Sequence, residues 1–206
     1  MKAPKFRHDD FDIINRQTEF KGFFELQALT IKHKLFQGGN SPEFTRELFV
    51  RGSVVVVLLY DPPADKVVLV EQFRVGALED ERSPWLLELV AGIVDSGETP
   101  EQVARRESFE ESGCTIQELE PIYTYWVSPG ANNERVHLYC GYIDSKGIGG
   151  GVHGLEYENE DIRVHLLSRA DAWQAVESGI VNNAATILGL QWLELNKVRI
   201  QQQRCL

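Results

Sequence analysis

The sequence predicts an α/β sandwich preceded by a small β-rich unit. Residues 53–60, Ser-Val-Val-Val-Val-Leu-Leu-Tyr, form a nearly continuous apolar run, as expected of a strand buried on both faces. Further strand-like runs are interspersed with a few helical stretches along the rest of the chain. Residues 1–45 read as a separate β-rich unit, which leaves 46–206 as the main domain.

In the first unit, residues 20–35 alternate imperfectly and carry Phe23, Phe24, Leu26, Leu29 and Ile31, which suggests one or two strands. Residues 37–42, Gln-Gly-Gly-Asn-Ser-Pro, are a turn cluster. After the apolar run, Asp61-Pro62-Pro63-Ala64-Asp65 breaks the chain, and Val67 to Phe73 returns as the second strand of a hairpin. Leu86 to Val90 reads as a short strand running into Ala91-Gly92. A helix then starts at Thr99, a good N-cap, with Gln102 completing a capping box and Pro100 at the first helical position. Val103, Ala104 and Phe109 are expected on its buried side, and Gly113 is placed to end it in a left-handed conformation. Strands are expected near 122–126 and 136–143, a Gly-rich acidic loop over 145–160, and a last strand over 162–167. Ser168 with Asp171 caps a helix through Glu177 that ends at Gly179. A final helix runs from about Asn183 to near Gln202, with Ile187, Leu188, Leu190, Trp192, Leu193 and Leu195 broadly apolar.

Composition narrows the function. The chain has 206 residues, 43% of them hydrophobic, which is ordinary for a soluble globular protein. A net charge of −10 argues against a nucleic-acid surface, which needs basic stripes, but leaves room for a small anionic ligand. No stretch approaches the roughly 18 uninterrupted apolar residues of a membrane span. The first residues lack the apolar core of a signal peptide. Cys114, Cys140 and Cys205 are scattered, form no metal spacing, and suit a reducing cytosol. A cytoplasmic protein is therefore expected, with no nucleic-acid or membrane partner.

The richest chemistry lies between Gly92 and Cys114. Glu107, Glu110 and Glu111 stand at i, i+3 and i+4, so a helix places them on one face. Three crowded carboxylates repel one another unless something positive neutralises them. Arg106 is one candidate and a divalent cation the stronger one, since hard cations take carboxylate and phosphate oxygens. The face begins one loop beyond a strand end, where backbone carbonyls could also reach a metal.

This segment resembles the signature of the Nudix hydrolases: Gly92, Glu98, Arg106, Glu107, Glu110, Glu111 and Gly113 fill every fixed position at the required spacing. Ser108 departs from it, standing where an aliphatic residue is usual. The resemblance implies a Nudix-type α/β/α sandwich of mixed sheet with helices. Over most of its length the chain is similar to the bacterial branch that splits ADP-ribose into AMP and ribose 5-phosphate.

The resemblance also implies a site. Glu107 and Glu111 are the main metal ligands, helped by the Ala91 carbonyl and Glu160, with Arg106 orienting the carboxylates and Glu110 ligating or supporting. Mg²⁺ is the implied cofactor, with Mn²⁺ as the alternative. The segment from His153 to Ile162 looks like the family's catalytic loop. There Glu158 takes the role of base and Glu160 that of a further ligand, although which of the two is the base stays open. Arg46, Arg51 and Arg74, placed at strand ends, match substrate-contacting arginines, with Glu47 beside the first; Ile93, Ser128 and Glu134 match further substrate positions. Phe23-Phe24 matches an adenine-stacking pair. The family's N-terminal domain exchanges across a homodimer and lends part of the adenosine site, so these phenylalanines would serve the partner's site. Two alternatives stand beside this reading: a Nudix enzyme for another nucleoside diphosphate sugar such as GDP-mannose, and a non-catalytic ligand-sensing Nudix domain.

Overall fold

The computed structural model describes residues 4–204. It divides into two units. One comprises the described residues up to Gly52 together with Trp126–Arg135; the other comprises Ser53–Tyr125 and the described residues from Val136 onward. The expected boundary at residue 45 falls inside a strand, so the first unit runs further than the sequence suggests. Cys205 lies outside the described residues.

The first unit is built on a three-stranded antiparallel sheet of β1 (Phe11–Lys21), β2 (Glu25–His33) and β3 (Phe44–Val50), in that order. All eleven residues of β1 are exposed, including Phe11, Ile13, Ile14 and Phe20. No apolar alternation marks such a strand, and the sequence reading missed most of it. A turn at 35–40 closes β2 towards β3, as the Gly-Gly-Asn-Ser-Pro cluster predicts.

The second unit is a layered sandwich around a mixed sheet, ordered β10-β11-β5-β4-β9-β8. Its central strand is β4 (Ser53–Asp61), fully buried from Val55 onward. Alternate residues serve opposite cores. Val56, Leu58 and Tyr60 pack with Leu138, Cys140, Leu190 and Leu193, while Val55, Val57 and Leu59 pack with Val103, Ala104, Cys114 and Ile116. Each fully buried valine, leucine or isoleucine among them contributes roughly 1.5–3 kcal/mol by leaving water. The β4 run and β5 (Lys66–Phe73) form the expected hairpin, but they pair only over Leu59–Asp61 and Lys66–Val68. Beyond that they splay. β6 (Trp85–Glu88) pairs with β5, and β7 (Val90–Ile93) pairs with β4. The neighbouring β9 (Arg135–Tyr142) runs parallel to β4, because Arg135 N–H bonds Gly52 O and Ile143 N–H bonds Tyr60 O at a constant offset. β8 (Glu118–Trp126) forms the edge.

The sequence predicts one strand over Leu86–Val90, and the structure breaks it at Leu89. The Leu89 N–H leaves the ladder and donates to the buried Thr186 hydroxyl at 3.0 Å. Nearby, the Asn183 side chain bonds Leu87 O. Two helices from the chain's end cover this face: α2 (Arg169–Glu177), capped by Ser168, and α3 (Ala184–Arg204). Leu195, expected among the apolar positions of α3, is exposed.

The opposite face carries α1 (Pro100–Ser112). Thr99 Oγ1 accepts from Gln102 N–H, Gln102 Oε1 accepts from Thr99 N–H, and Gly113 closes the helix at φ 69°. The caps are as expected, but the buried face is not. Phe109 is 63% exposed, and Ser108 takes the inward place, its hydroxyl donating to Ala104 O at 2.7 Å. The inward face is lined by Val103, Ala104, Ser108, Glu111 and Ser112. A serine there satisfies its own hydroxyl within the helix, so the departure from an aliphatic residue leaves no buried polar group unpaired.

The loop expected over 145–160 holds more structure than its glycines suggest. β10 (Gly151–His153) pairs with β11 (Ile162–Ser168), and a single 3-10 turn spans Glu156–Glu158. Gly154 N–H bonds Glu110 O at 3.3 Å, which ties this segment to α1.

Candidate active site

The site in the second unit starts from a close approach of helix to strand. Gly92 sits on β7, and a Cβ built there would overlap the Glu107 carboxyl group. Only hydrogen leaves room for that carboxylate against the strand. Gly92→Ala is therefore expected to keep the fold but displace Glu107, lowering kcat by about tenfold to 10²-fold, since an ångström of misplacement at a reacting centre costs that much. Activity within twofold of wild type, with an unchanged melting temperature, would show that Glu107 relaxes freely.

Arg106 organises the outer part of the cluster. Its Nε and Nη2 each donate to one Glu98 oxygen at 3.1 Å, while Nη1 reaches Glu107 at 2.8 Å and Glu110 at 3.0 Å. The carboxylates raise the guanidinium pKa further above its ordinary value, and the fork on Glu98 lowers that of the glutamate. Arg106 thus works as a clamp, with four of its five N–H donors spent on carboxylates.

Glu111 lies deeper, only 2% exposed, on the inward face of α1. One of its oxygens accepts from Ala91 N–H at 3.1 Å. That contact fixes the direction of the Ala91 carbonyl as well. Ala91 stands opposite Val56 in the antiparallel β4–β7 pair, and its N–H points away from β4; in such a pair the C=O points the same way. The carbonyl therefore faces the side from which Glu111 approaches.

Burial pushes the Glu111 carboxyl up to about 8, against the Ala91 N–H; Glu107 and Glu160 push it further, and Arg74 pulls it down. Burial likewise lifts Glu107 to about 7 despite Arg106, with Glu110 and Glu160 adding to the rise. Glu160 accepts from Leu155 N–H at 3.1 Å across the turn that closes the loop. Glu107, Glu111 and Glu160 thus form a negative cluster short of positive charge, with hard oxygen donors only. As the side chains stand, no three acidic, histidine or cysteine groups among the described residues enclose a metal position. The donor set, the raised carboxyl pKa values and the carbonyl beside them nevertheless fit a hard divalent cation.

Glu158 differs from Glu160. It ends the 3-10 turn as an exposed residue, next to the exposed Tyr157, and its N–H bonds Leu155 O. Arg74, just past β5, donates through Nε to Glu88 at 2.7 Å. Ile93, at the end of β7, is exposed. His153 of β10 lies beside Gly113 at the end of α1. Sequence reasoning missed Glu88, because it stands 14 residues from Arg74 and the two side chains meet only once β5 and β6 have folded back on each other.

The remaining expected residues belong to the first unit. Phe23 is 86% exposed and meets Phe24 edge-on at 4.7 Å. Phe24 is covered by the Arg51 guanidinium at 4.0 Å and by Phe49 at 5.2 Å, so Phe23 is the ring with an open face. Arg51 Nε donates to Glu134 at 2.7 Å, and Asn133 accepts from the Arg51 N–H. Arg46 and Glu47 lie within β3 rather than at a strand end as the sequence suggests, and Arg46 turns towards Phe44 and Thr45 O. Ser128 is exposed in the loop whose carbonyl accepts from Asn132 N–H.

A sheet sandwich whose helix lays a clamped carboxylate face against a strand glycine is the architecture of a known class. The NUDIX domain matches residues 50–202, and the chain belongs to that family of hydrolases. It is 48% identical over 200 residues to the ADP-ribose pyrophosphatase of Haemophilus influenzae, covering 96% of this chain and 92% of that one. The ADP-ribose pyrophosphatase of Escherichia coli K12 is 44% identical over 198 residues, with 96% and 94% covered. The GDP-mannose pyrophosphatase of Cronobacter sakazakii is 34% identical over 164 residues, 78% of this chain and 83% of that one. A crystal structure of an ADP compounds hydrolase shares the fold at a TM-score of 0.67 and 19% identity, covering 94% of this chain and 98% of its own.

Proposed function

We propose that the protein hydrolyses the pyrophosphate bond of ADP-ribose, giving AMP and ribose 5-phosphate. The observation that carries the reading is the clamped carboxylate face of α1, set against Gly92 in a chain aligned almost end to end with ADP-ribose pyrophosphatases. Identity to GDP-mannose pyrophosphatases is lower and spans less of the chain, which favours ADP-ribose over that alternative. An intact signature speaks against a sensing domain without catalysis.

Glu107, Glu111, the Ala91 carbonyl and Glu160 would hold a divalent cation, Mg²⁺ first and Mn²⁺ as the alternative. Bound there, the cation supplies neutralisation of the diphosphate and acidification of water. Arg106 keeps Glu107 and Glu110 in place. Glu158 accepts the proton of the attacking water from a loop hinged on glycine. Arg51 and Arg74 contact phosphate, the Phe23-Phe24 pair supports the adenine, and Arg46, Glu47, Ile93, Ser128 and Glu134 complete the substrate contacts.

A homodimer in which the first unit serves the partner's site fits the wholly exposed β1 with its Phe11, Ile13, Ile14 and Phe20. An intact chain that sediments as a fully active monomer would exclude this arrangement. A cytoplasmic location accords with the absence, among the described residues, of any helix long and apolar enough to cross a membrane, and with two buried free thiols.

A panel of nucleoside diphosphate compounds, assayed with Mg²⁺ for release of phosphatase-sensitive product, tests the function. ADP-ribose is expected to give the highest kcat/KM. A clear preference for GDP-mannose, or no turnover of any compound, would overturn the assignment.

A further inference from the structure

The ion-paired arginines of this protein fall into two kinds. Arg106 spends Nε and both terminal nitrogens on carboxylates. Arg204 gives both terminal nitrogens to Glu118, Arg169 binds Asp65 and Glu194, and Arg199 divides its donors among Asn196, Gln203 and Glu120. Arg51 and Arg74 differ. Each donates through Nε alone, to Glu134 and Glu88 respectively, at 2.7 Å in both cases. Among the described residues the terminal nitrogens of these two arginines make no hydrogen bond.

The chemistry of the guanidinium gives this difference a meaning. A carboxylate that takes the two terminal nitrogens consumes the fork that would grip a phosphate. A carboxylate that takes Nε fixes the plane of the group and leaves that fork open. The Glu88 and Glu134 side chains are 15% and 16% exposed, so each tether is a sheltered one. Glu88 is firmly seated: it closes β6 opposite Val70, and the next residue, Leu89, is held by Thr186.

We propose that Glu88 is a positioning residue for the hydrolysis, holding Arg74 by Nε so that both terminal nitrogens meet a phosphate oxygen pair. This rests on the reading of Arg74 as a phosphate contact. Glu88 touches no reacting atom, and its effect must pass through Arg74.

A double-mutant cycle tests the proposal. Arg74→Ala is expected to lower kcat/KM by about 10²-fold and Glu88→Leu by about tenfold, both with Mg²⁺ saturating. Glu88→Gln keeps an acceptor for Nε and is expected to recover most of that loss. In the Arg74→Ala background, Glu88→Leu is expected to add less than twofold. Independent losses that multiply, or a Glu88→Leu variant within twofold of wild type, would overturn the tether. Calorimetric titration with inorganic pyrophosphate separates this from the substrate assignment. If the wild type fails to hydrolyse ADP-ribose, the function is wrong. The tether then stands if Glu88→Leu and Arg74→Ala lose pyrophosphate affinity together, and falls if Glu88→Leu binds as wild type.

Discussion

Glu111→Gln is expected to lower kcat by at least ~10²-fold at saturating Mg²⁺ while leaving the protein folded. The substitution keeps the volume and an oxygen for Ala91 N–H, but removes the charge that a hard cation requires. Loss of an outer-shell partner at a metal site costs about 10–100-fold, and a direct ligand should cost more. Turnover close to wild type would remove Glu111 from the metal site.

The same residue sets a pH signature without metal. Its carboxyl is raised from the ordinary 4.5 to about 8 in the folded protein. The folded state therefore binds more protons than the unfolded state between these values. The stability associated with this shift is present below 4.5 and is lost as pH rises through about 8. In EDTA, wild-type Tm is expected to fall across this window, and Mg²⁺ should restore more of it at pH 8 than at pH 6. Glu111→Gln should flatten the metal-free slope and melt a few degrees above wild type at the alkaline end, about 2–4 °C per kcal/mol relieved.

Glu158→Gln is the second large expected effect. Removal of a general base costs about 10²–10⁴-fold, and kcat is expected to fall in that range with substrate binding nearly intact. Glu158 is exposed on its turn and accepts no hydrogen bond among the described residues, whereas Glu160 accepts from Leu155 N–H and its charge bears on Glu107 and Glu111. Glu160→Gln should instead raise the Mg²⁺ concentration needed for half-maximal rate. An inactive Glu160→Gln beside a Glu158→Gln within a few-fold of wild type would exchange the two roles.

What the sequence conveyed depended on whether the determining contacts were local. The caps of α1 were legible because Thr99, Pro100, Gln102 and Gly113 act within a turn of one another. The carboxylate cluster was legible for the same reason. The inward face of α1 was not, since apolar spacing points to Phe109 while the structure turns Ser108 inward, its hydroxyl satisfied at Ala104 O, together with the buried Glu111. β1 carries no alternation because neither of its faces is covered within the chain. Arg51 and Arg74 could be singled out from their positions. Their carboxylate partners could not, because Glu134 lies 83 residues from Arg51, and Glu88, 14 residues from Arg74, sits opposite Val70 in the β5–β6 register and reaches the arginine only through its side chain.

The bond between Leu89 and Thr186 has a consequence for how the protein comes into being. The break between β6 and β7 is satisfied by a hydroxyl 97 residues further along. During synthesis the carboxylate helix and its strand emerge long before that hydroxyl does. Until then the Leu89 amide must find water or another acceptor, because leaving it buried without a partner costs about 1–3 kcal/mol. Completion of the break between β6 and β7 is thereby coupled to the arrival of α3, the helix that carries Thr186.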